Sequence, residues 1–270
     1  MHTSLPRLLA VCVAGLACLS ASPAGPLPEG AINVLFVGNS LTYVNDLPST
    51  VAAIGASVGD TIRVAAAVGP DLALIDHLHG ASDAVGQMRR GGWTFVVLQQ
   101  GPTPAGICRD SLVLWTSLYA PHLRGSSATL ALMMPWPGST HLDLYDEVRV
   151  SFEAAALGVG GVFVPAGEAW RTVQHSNPEQ SLYGPDGFHP SPVGTFLAAL
   201  VIYERITGRD PRTLPAQAFS AGRALALPEA TIRALQSAAH DANARFPASA
   251  APTDEELSRP SLYHSGRSSC

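Results

Sequence analysis

From Ala31 onward, short apolar runs alternate with longer stretches in which apolar residues recur every three or four positions. A run of four to eight apolar residues bounded by turn formers suits a strand buried on both faces, whereas a 3.6-residue recurrence suits a helix with one buried stripe. Five strands follow, at roughly 32–37, 61–67, 94–98, 129–134 and 161–164, with helical stretches between them near 47–57, 71–79, 110–121 and 144–157. This alternation predicts an α/β domain with a doubly wound, parallel five-stranded sheet flanked by helices. Three more helical stretches, near 166–174, 191–207 and 228–245, would cover the sheet. The middle one opens after Pro190, carries Phe196, Leu197, Leu200 and Ile202, and stops before Gly208. Past about Pro247 the chain turns polar and proline-bearing, so residues 31–246 read as the domain and 247–270 as a disordered tail.

Composition changes this picture in three places. With 47% apolar residues among 270, the chain can fill a sizeable core, and disorder of the whole is excluded. Only 14% of residues are charged, all 16 basic residues are arginine and the net charge is −5, so there is no basic stripe to neutralise phosphates. Nucleic acid is therefore not an expected partner. Residues 1–24 have Arg7 ahead of an apolar run at 8–17, then small residues and Pro23, Pro26 and Pro28. The run is shorter than a membrane span, and the layout is that of a secretory signal cleaved after Ser20, Ala21 or, preferably, Ala24. The expectation is a soluble, secreted or periplasmic protein with no stable membrane insertion after cleavage. Cys12 and Cys18 leave with that segment, and the two cysteines that remain, Cys108 and Cys270, do not by themselves establish a bridge.

In an open parallel sheet, chemistry gathers at the carboxyl ends of the strands. The first strand runs into Gly38-Asn39-Ser40-Leu41-Thr42. A serine there can stand at the head of a helix as a nucleophile, or Ser40 or Thr42 can simply cap that helix. The G-x-S-x-G elbow does not fit, because Thr42 stands where its last glycine belongs. Far downstream, Tyr183-Gly184-Pro185-Asp186-Gly187-Phe188-His189-Pro190 puts an aspartate three residues before a histidine in a loop leading into a helix. Asp186 can accept one imidazole N–H and fix the tautomer of His189, leaving the other nitrogen to take a proton from a serine.

With these two blocks the sequence resembles the SGNH (GDSL-type) hydrolases, secreted esterases and lipases on a flavodoxin-like sheet, over most of residues 31–212. The usual G-D-S block stands as Gly38-Asn39-Ser40, and D-x-x-H-P stands as Asp186 to Pro190. The resemblance implies that Ser40 attacks an ester carbonyl, His189 serves as base and then acid, and Asp186 orients it. It also implies an oxyanion hole made from the N–H groups of Ser40 and Gly69, the glycine after the second strand. The third block, usually G-x-N-D, reads Gln99-Gln100-Gly101 here, which makes Gln100, and after it Gln99, the amide that would replace the missing asparagine. No cofactor is required by this chemistry.

Other residues carry weaker signals. Trp136, in the proline-rich loop after the fourth strand, reads either as a wall of the substrate pocket or as an aromatic plug. His77 and His79, beside Asp76, would point about 200° apart on a helix with no evident third ligand, so no metal site is assigned. The preferred function is hydrolysis of a short acyl ester, plausibly acetyl, on a carbohydrate or other small polar carrier. An acyltransferase with the same triad is the alternative, and the missing asparagine motivates a second one, a binding protein without turnover.

Overall fold

The structure is a computed structural model that describes residues 30–261; the expected signal segment, Cys12, Cys18 and Cys270 lie outside them. Five strands form one parallel sheet: β1 (Ile32–Gly38), β2 (Ile62–Val68), β3 (Phe95–Leu98), β4 (Thr129–Met133) and β5 (Val162–Val164), in the order β2-β1-β3-β4-β5. Each lies where the apolar runs placed it. Val34–Val37 and Val96–Leu98 are buried throughout, which is why these central strands read as unbroken apolar runs rather than alternating ones.

Among the described residues the α-helices are α1 (Ser40–Tyr43), α2 (Leu47–Ala56), α3 (Leu74–Leu78), α4 (Ala84–Arg90), α5 (Ile107–Ser117), α6 (Tyr145–Gly158), α7 (Ala166–Ser176), α8 (Pro192–Thr207), α9 (Glu229–Arg245) and α10 (Asp254–Ser258). Helix α8 is apolar all round because α2, α7 and α9 pack against it; every side chain from Phe196 to Tyr203 is fully buried. At roughly 1.5–3 kcal/mol for each large apolar side chain, it anchors this layer. Its start is fixed by Pro192 in the first turn and by Ser191 Oγ, which accepts from the Gly194 N–H, so the residues just before it are held in place. Helices α5 and α6 pack together in the other layer. The chain runs from β1 outward to β2 and then returns across β1 to β3, so the switch point lies at the carboxyl ends of β1 and β3. Among the described residues, no helix is long and apolar enough to cross a membrane.

Three elements were not read from the pattern. Helix α4 buries only Ala84 and Met88, a single i,i+4 pair. The antiparallel hairpin of β6 (Ala218–Ser220) and β7 (Arg223–Leu225) is too short to show a period. The third falls in the stretch expected to be disordered. The Ala248 carbonyl accepts from Phe163 N–H at the edge of β5, and Thr253 and Glu256 form a reciprocal capping box on α10. Arg149 binds Glu256 at 2.5 Å and Arg109 Nη1 donates to the Leu257 carbonyl. The T-x-x-E spacing at 253–256 was the available signal for this helix.

Candidate active site

Ser40 is the first residue of α1, two positions beyond a central strand, and its turn is held from several sides. Asn39 caps the helix, its Oδ1 accepting from the Leu41 N–H at 3.2 Å, while its Nδ2 donates to the Leu72 carbonyl in the loop after β2. Because β1 lies between β2 and β3, at strand spacings of about 4.8 Å, the segments after those two strands flank Ser40. Gly69 comes from the first. A side chain there would meet Leu72 Cδ1 at 2.6 Å and would have to push that leucine aside.

From the second come both glutamines, and the structure gives them different tasks. Gln99 Oε1 accepts from the Asn39 N–H at 3.0 Å and from the Thr42 hydroxyl at 2.8 Å, and its Nε2 donates to the Gln100 carbonyl. Gln99, the second choice for an oxyanion donor, therefore props the serine turn. The buried Gln100 turns its Oε1 to the Leu74 N–H at the start of α3, at 2.8 Å, which fixes the two ends of its amide.

The second half of the site is the loop 183–190, closed by an isolated antiparallel bridge between Tyr183 and Pro190 and by the Gly184 N–H donating to the His189 carbonyl. Within it, Asp186 Oδ1 accepts from the Phe188 and His189 N–H groups at 3.0 and 2.9 Å, and Oδ2 accepts from His189 Nδ1 at 2.5 Å. The ring N–H and the two backbone N–H groups hold the Asp186 carboxyl down at about 2, so it stays ionised throughout the neutral range. A carboxylate on Nδ1 leaves Nε2 of a neutral His189 as the proton acceptor. Gly187 has a φ of +69°, and a Cβ there would meet Ser139 Oγ, so the tight turn that brings the pair together needs glycine.

Asn45 ties the two halves together. It and Asp46 both adopt positive φ in the link from α1 to α2, and its Nδ2 donates to the Pro190 carbonyl at 2.8 Å and to Thr195 Oγ1 at 3.1 Å. The residue five beyond Ser40 thus binds the residue one beyond His189. No hydrogen bond joins Ser40 and His189 directly. Asn-Asp is a left-handed turn signal, but nothing local names the far partner.

The structure decides between the two readings of Trp136 and gives His77 a place. Trp136 is not a pocket wall: it is fully buried, stacked at 3.6 Å on Trp170, and its Nε1 donates to the Phe188 carbonyl, which braces the residue before His189 from below. Tyr183 meets Trp170 edge-on and donates to the Pro137 carbonyl, completing the brace. His77, to which the sequence assigns no role, has a structural one. It is fully buried, with its ring between the Gly38 carbonyl and Ser82 Oγ, and burial lowers its pKa.

A cavity of about 380 Å³ opens beside the loop, lined in part by Pro102, Pro104, Pro137, Ser139, His141 and Phe188. Cys108 borders it and is disulfide-bonded, while the other three cysteines lie outside the described residues. Elsewhere, ligand atoms of Glu204, Asp210 and His240 lie within 4.8 Å of one another. They are engaged already: His240 of α9 pairs with Glu204 of α8 at 2.8 Å, and Asp210 with its near neighbour Arg212 at 2.7 Å.

No protein-family model matches the sequence and no curated protein does; the likeness is to solved structures. A DUF4886 family protein from Bacteroides uniformis superposes with a TM-score of 0.67 at 20% identity, over 84% of this chain and 99% of that one. A protein classed as an SGNH hydrolase from Slackia heliotrinireducens gives 0.52 at 25% identity, over 65% and 99%. A catalytic mutant of an acetylxylan esterase from Geobacillus stearothermophilus also gives 0.52, at 15% identity over 65% and 94%.

Proposed function

We propose that this chain, which has the SGNH (GDSL-type) hydrolase fold, is an exported serine esterase acting on short acyl esters of a carbohydrate or another small polar carrier. The observation that carries the reading is the Asp186–His189 pair, oriented by three N–H bonds and strapped through Asn45 to the turn that presents Ser40.

In the cycle that follows, Ser40 Oγ attacks the ester carbonyl as His189 Nε2 takes its proton. The N–H groups of Ser40 and Gly69 and the Gln100 amide hold the oxyanion, and His189 returns the proton to the leaving alcohol. Water activated by the same nitrogen then cleaves the acyl-enzyme. Asp186 remains an anion and holds the ring. The cavity bordered by Asp186 and Phe188 falls within the usual range for small-molecule sites and suits the alcohol portion. Trp136 and Trp170 are packed inside the scaffold rather than along a channel, which favours a short acyl group. Export rests on the sequence of residues 1–24.

The test is turnover of p-nitrophenyl acetate and butyrate by the purified protein and by Ser40→Ala, with fluorophosphonate labelling and mass mapping of the labelled peptide. Acetate turnover that falls by about four orders of magnitude in Ser40→Ala, with the label on Ser40 alone, is the expected result. A folded wild type with neither label nor turnover would leave a binding protein as the reading. Because only the neutral imidazole accepts a proton, the rate should fall in acid.

A further inference from the structure

The peptide unit that joins Gly38 to Asn39 is gripped at both of its polar ends by buried side chains from distant parts of the chain. Its carbonyl accepts from His77 Nε2 at 3.1 Å, and its N–H donates to Gln99 Oε1 at 3.0 Å. A carbonyl can only accept, so His77 carries its proton on Nε2, and Nδ1 accepts from the Ser82 hydroxyl at 2.6 Å. Ser82 Oγ in turn accepts from the Ala84 N–H, which fixes the ring from behind. Gln99 is fixed by Thr42 on its oxygen and by the Gln100 carbonyl on its nitrogen.

Gly38 is shaped to admit this grip. Its φ is ordinary, but a Cβ would lie 2.6 Å from Gln99 Oε1 and 2.7 Å from Thr42 Oγ1. A side chain at position 38 would therefore push out the acceptor that holds the Asn39 N–H. β1 ends at Gly38, and its register with β2 ends there too, so the next peptide unit no longer has its orientation set by the ladder. A peptide plane held at both ends cannot rotate about its Cα–Cα axis, which fixes φ of Asn39. The Asn39 side chain then fixes the first turn of α1 through the Leu41 N–H. Together these bonds set where Ser40 directs its Oγ and its N–H.

We propose that His77 and Gln99 form a clamp that positions Ser40, governing the rate at which the serine is acylated rather than the binding of substrate. This rests on the esterase reading above. Neither is a catalytic residue; both act through the Gly38–Asn39 peptide.

The test compares His77→Phe, which keeps a ring and loses the donor, with His77→Gln, whose amide can still donate. It likewise compares Gln99→Met, which keeps the length and loses the acceptor, with Gln99→Glu, which retains one. Steady-state kinetics on p-nitrophenyl acetate and the rate of fluorophosphonate labelling at Ser40 are read beside circular-dichroism melting. Both kcat and the labelling rate should fall by about 10- to 100-fold in His77→Phe and Gln99→Met, with KM within about twofold, and the conservative variants should recover most of the loss. The double variant should lose little more than either single, since both act on one peptide. Should the apolar variants not fold, Gly38→Ala displaces Gln99 Oε1 without substituting either clamp residue and should give the same loss. Folded variants labelled at the wild-type rate, or losses that track only the folded fraction, overturn the clamp alone. A wild type that takes no label overturns the esterase reading and the clamp with it.

Discussion

The serine and the histidine stand in opposite surroundings. Ser40 is 7% exposed, and its turn is held by buried side chains from α3 and from the segment after β3, whereas the Asp186 and His189 side chains are 52% and 36% exposed, on a loop whose own backbone orients the pair while bonds to Trp136, Pro137 and Asn45 brace it from outside. A nucleophile and an oxyanion hole work through exact placement in a water-poor setting, so long-range side chains give that half its rigidity. The proton relay needs a fixed anion and a fixed ring direction. Three N–H donors on one carboxylate supply both even in partial solvent, and the stacked Trp136 and Trp170 give the loop a rigid floor. The Asp186–His189 pair is oriented locally, the serine turn at long range. Substitutions should divide accordingly.

Gln100→Glu is the sharpest probe of the buried half. It keeps an acceptor for the Leu74 N–H, and so the anchor of α3, but removes the N–H that would meet the oxyanion. A fall of about 10²- to 10³-fold in kcat is expected from p-nitrophenyl acetate kinetics, read beside the melting temperature because a carboxylate in this buried position also lowers stability. A wild-type rate would remove Gln100 from the oxyanion hole and leave the Ser40 and Gly69 N–H groups to act alone.

The joint between the halves is tested by Asn45→Ala. Both the Asp186–His189 bond and the Gln99 contacts survive it, so each half keeps its own structure and only their alignment loosens. A misplacement of about 1 Å costs up to about 100-fold in rate, against about 1 kcal/mol of stability for the lost hydrogen bonds. Kinetics and urea denaturation on one preparation separate the two effects. Equal losses in rate and stability, or none in rate, would mean that the two halves need no strap.

The local half was also the legible one. Asp186 and His189 lie three residues apart, and Gly187 between them marks the turn, so their partnership could be read from a short window. All five strands were legible too: the central ones because a strand buried on both faces has to be apolar throughout, and the edge strand β2, only partly buried, through its run of alanine and valine. What stayed hidden was long-range pairing. His77 bonds to a residue 39 positions away and Gln99 to one 60 away, and neither residue type nor spacing announces such a bond. Trp136 was placed in the correct loop, but whether an aromatic ring after a strand faces the site or the floor depends on Trp170, which belongs to the next crossover. A side-chain pattern gives the face of an element; the partner across the fold comes only with the topology.

The mildest expected effect concerns His77 and the stability of the buried half. Burial lowers its pKa, against the opposing pull of the Gly38 carbonyl and Asp76, so the folded protein keeps the ring neutral at pH values where the unfolded chain protonates it near 6.5. The unfolded state then binds more protons, and stability falls as pH drops below about 6.5 until the lowered folded pKa is reached. The slope from this one group cannot exceed about 1.4 kcal/mol per pH unit. Asp186 does not mask it, because its depressed carboxyl titrates well below that window. Urea midpoints at pH 7 and pH 5, for wild type and His77→Gln, isolate the contribution, since every other group is common to the two proteins. The wild type should lose more stability on acidification than the variant. Equal losses would mean that the ring charges within the fold, and that the serine half is less sealed from solvent than its exposure suggests.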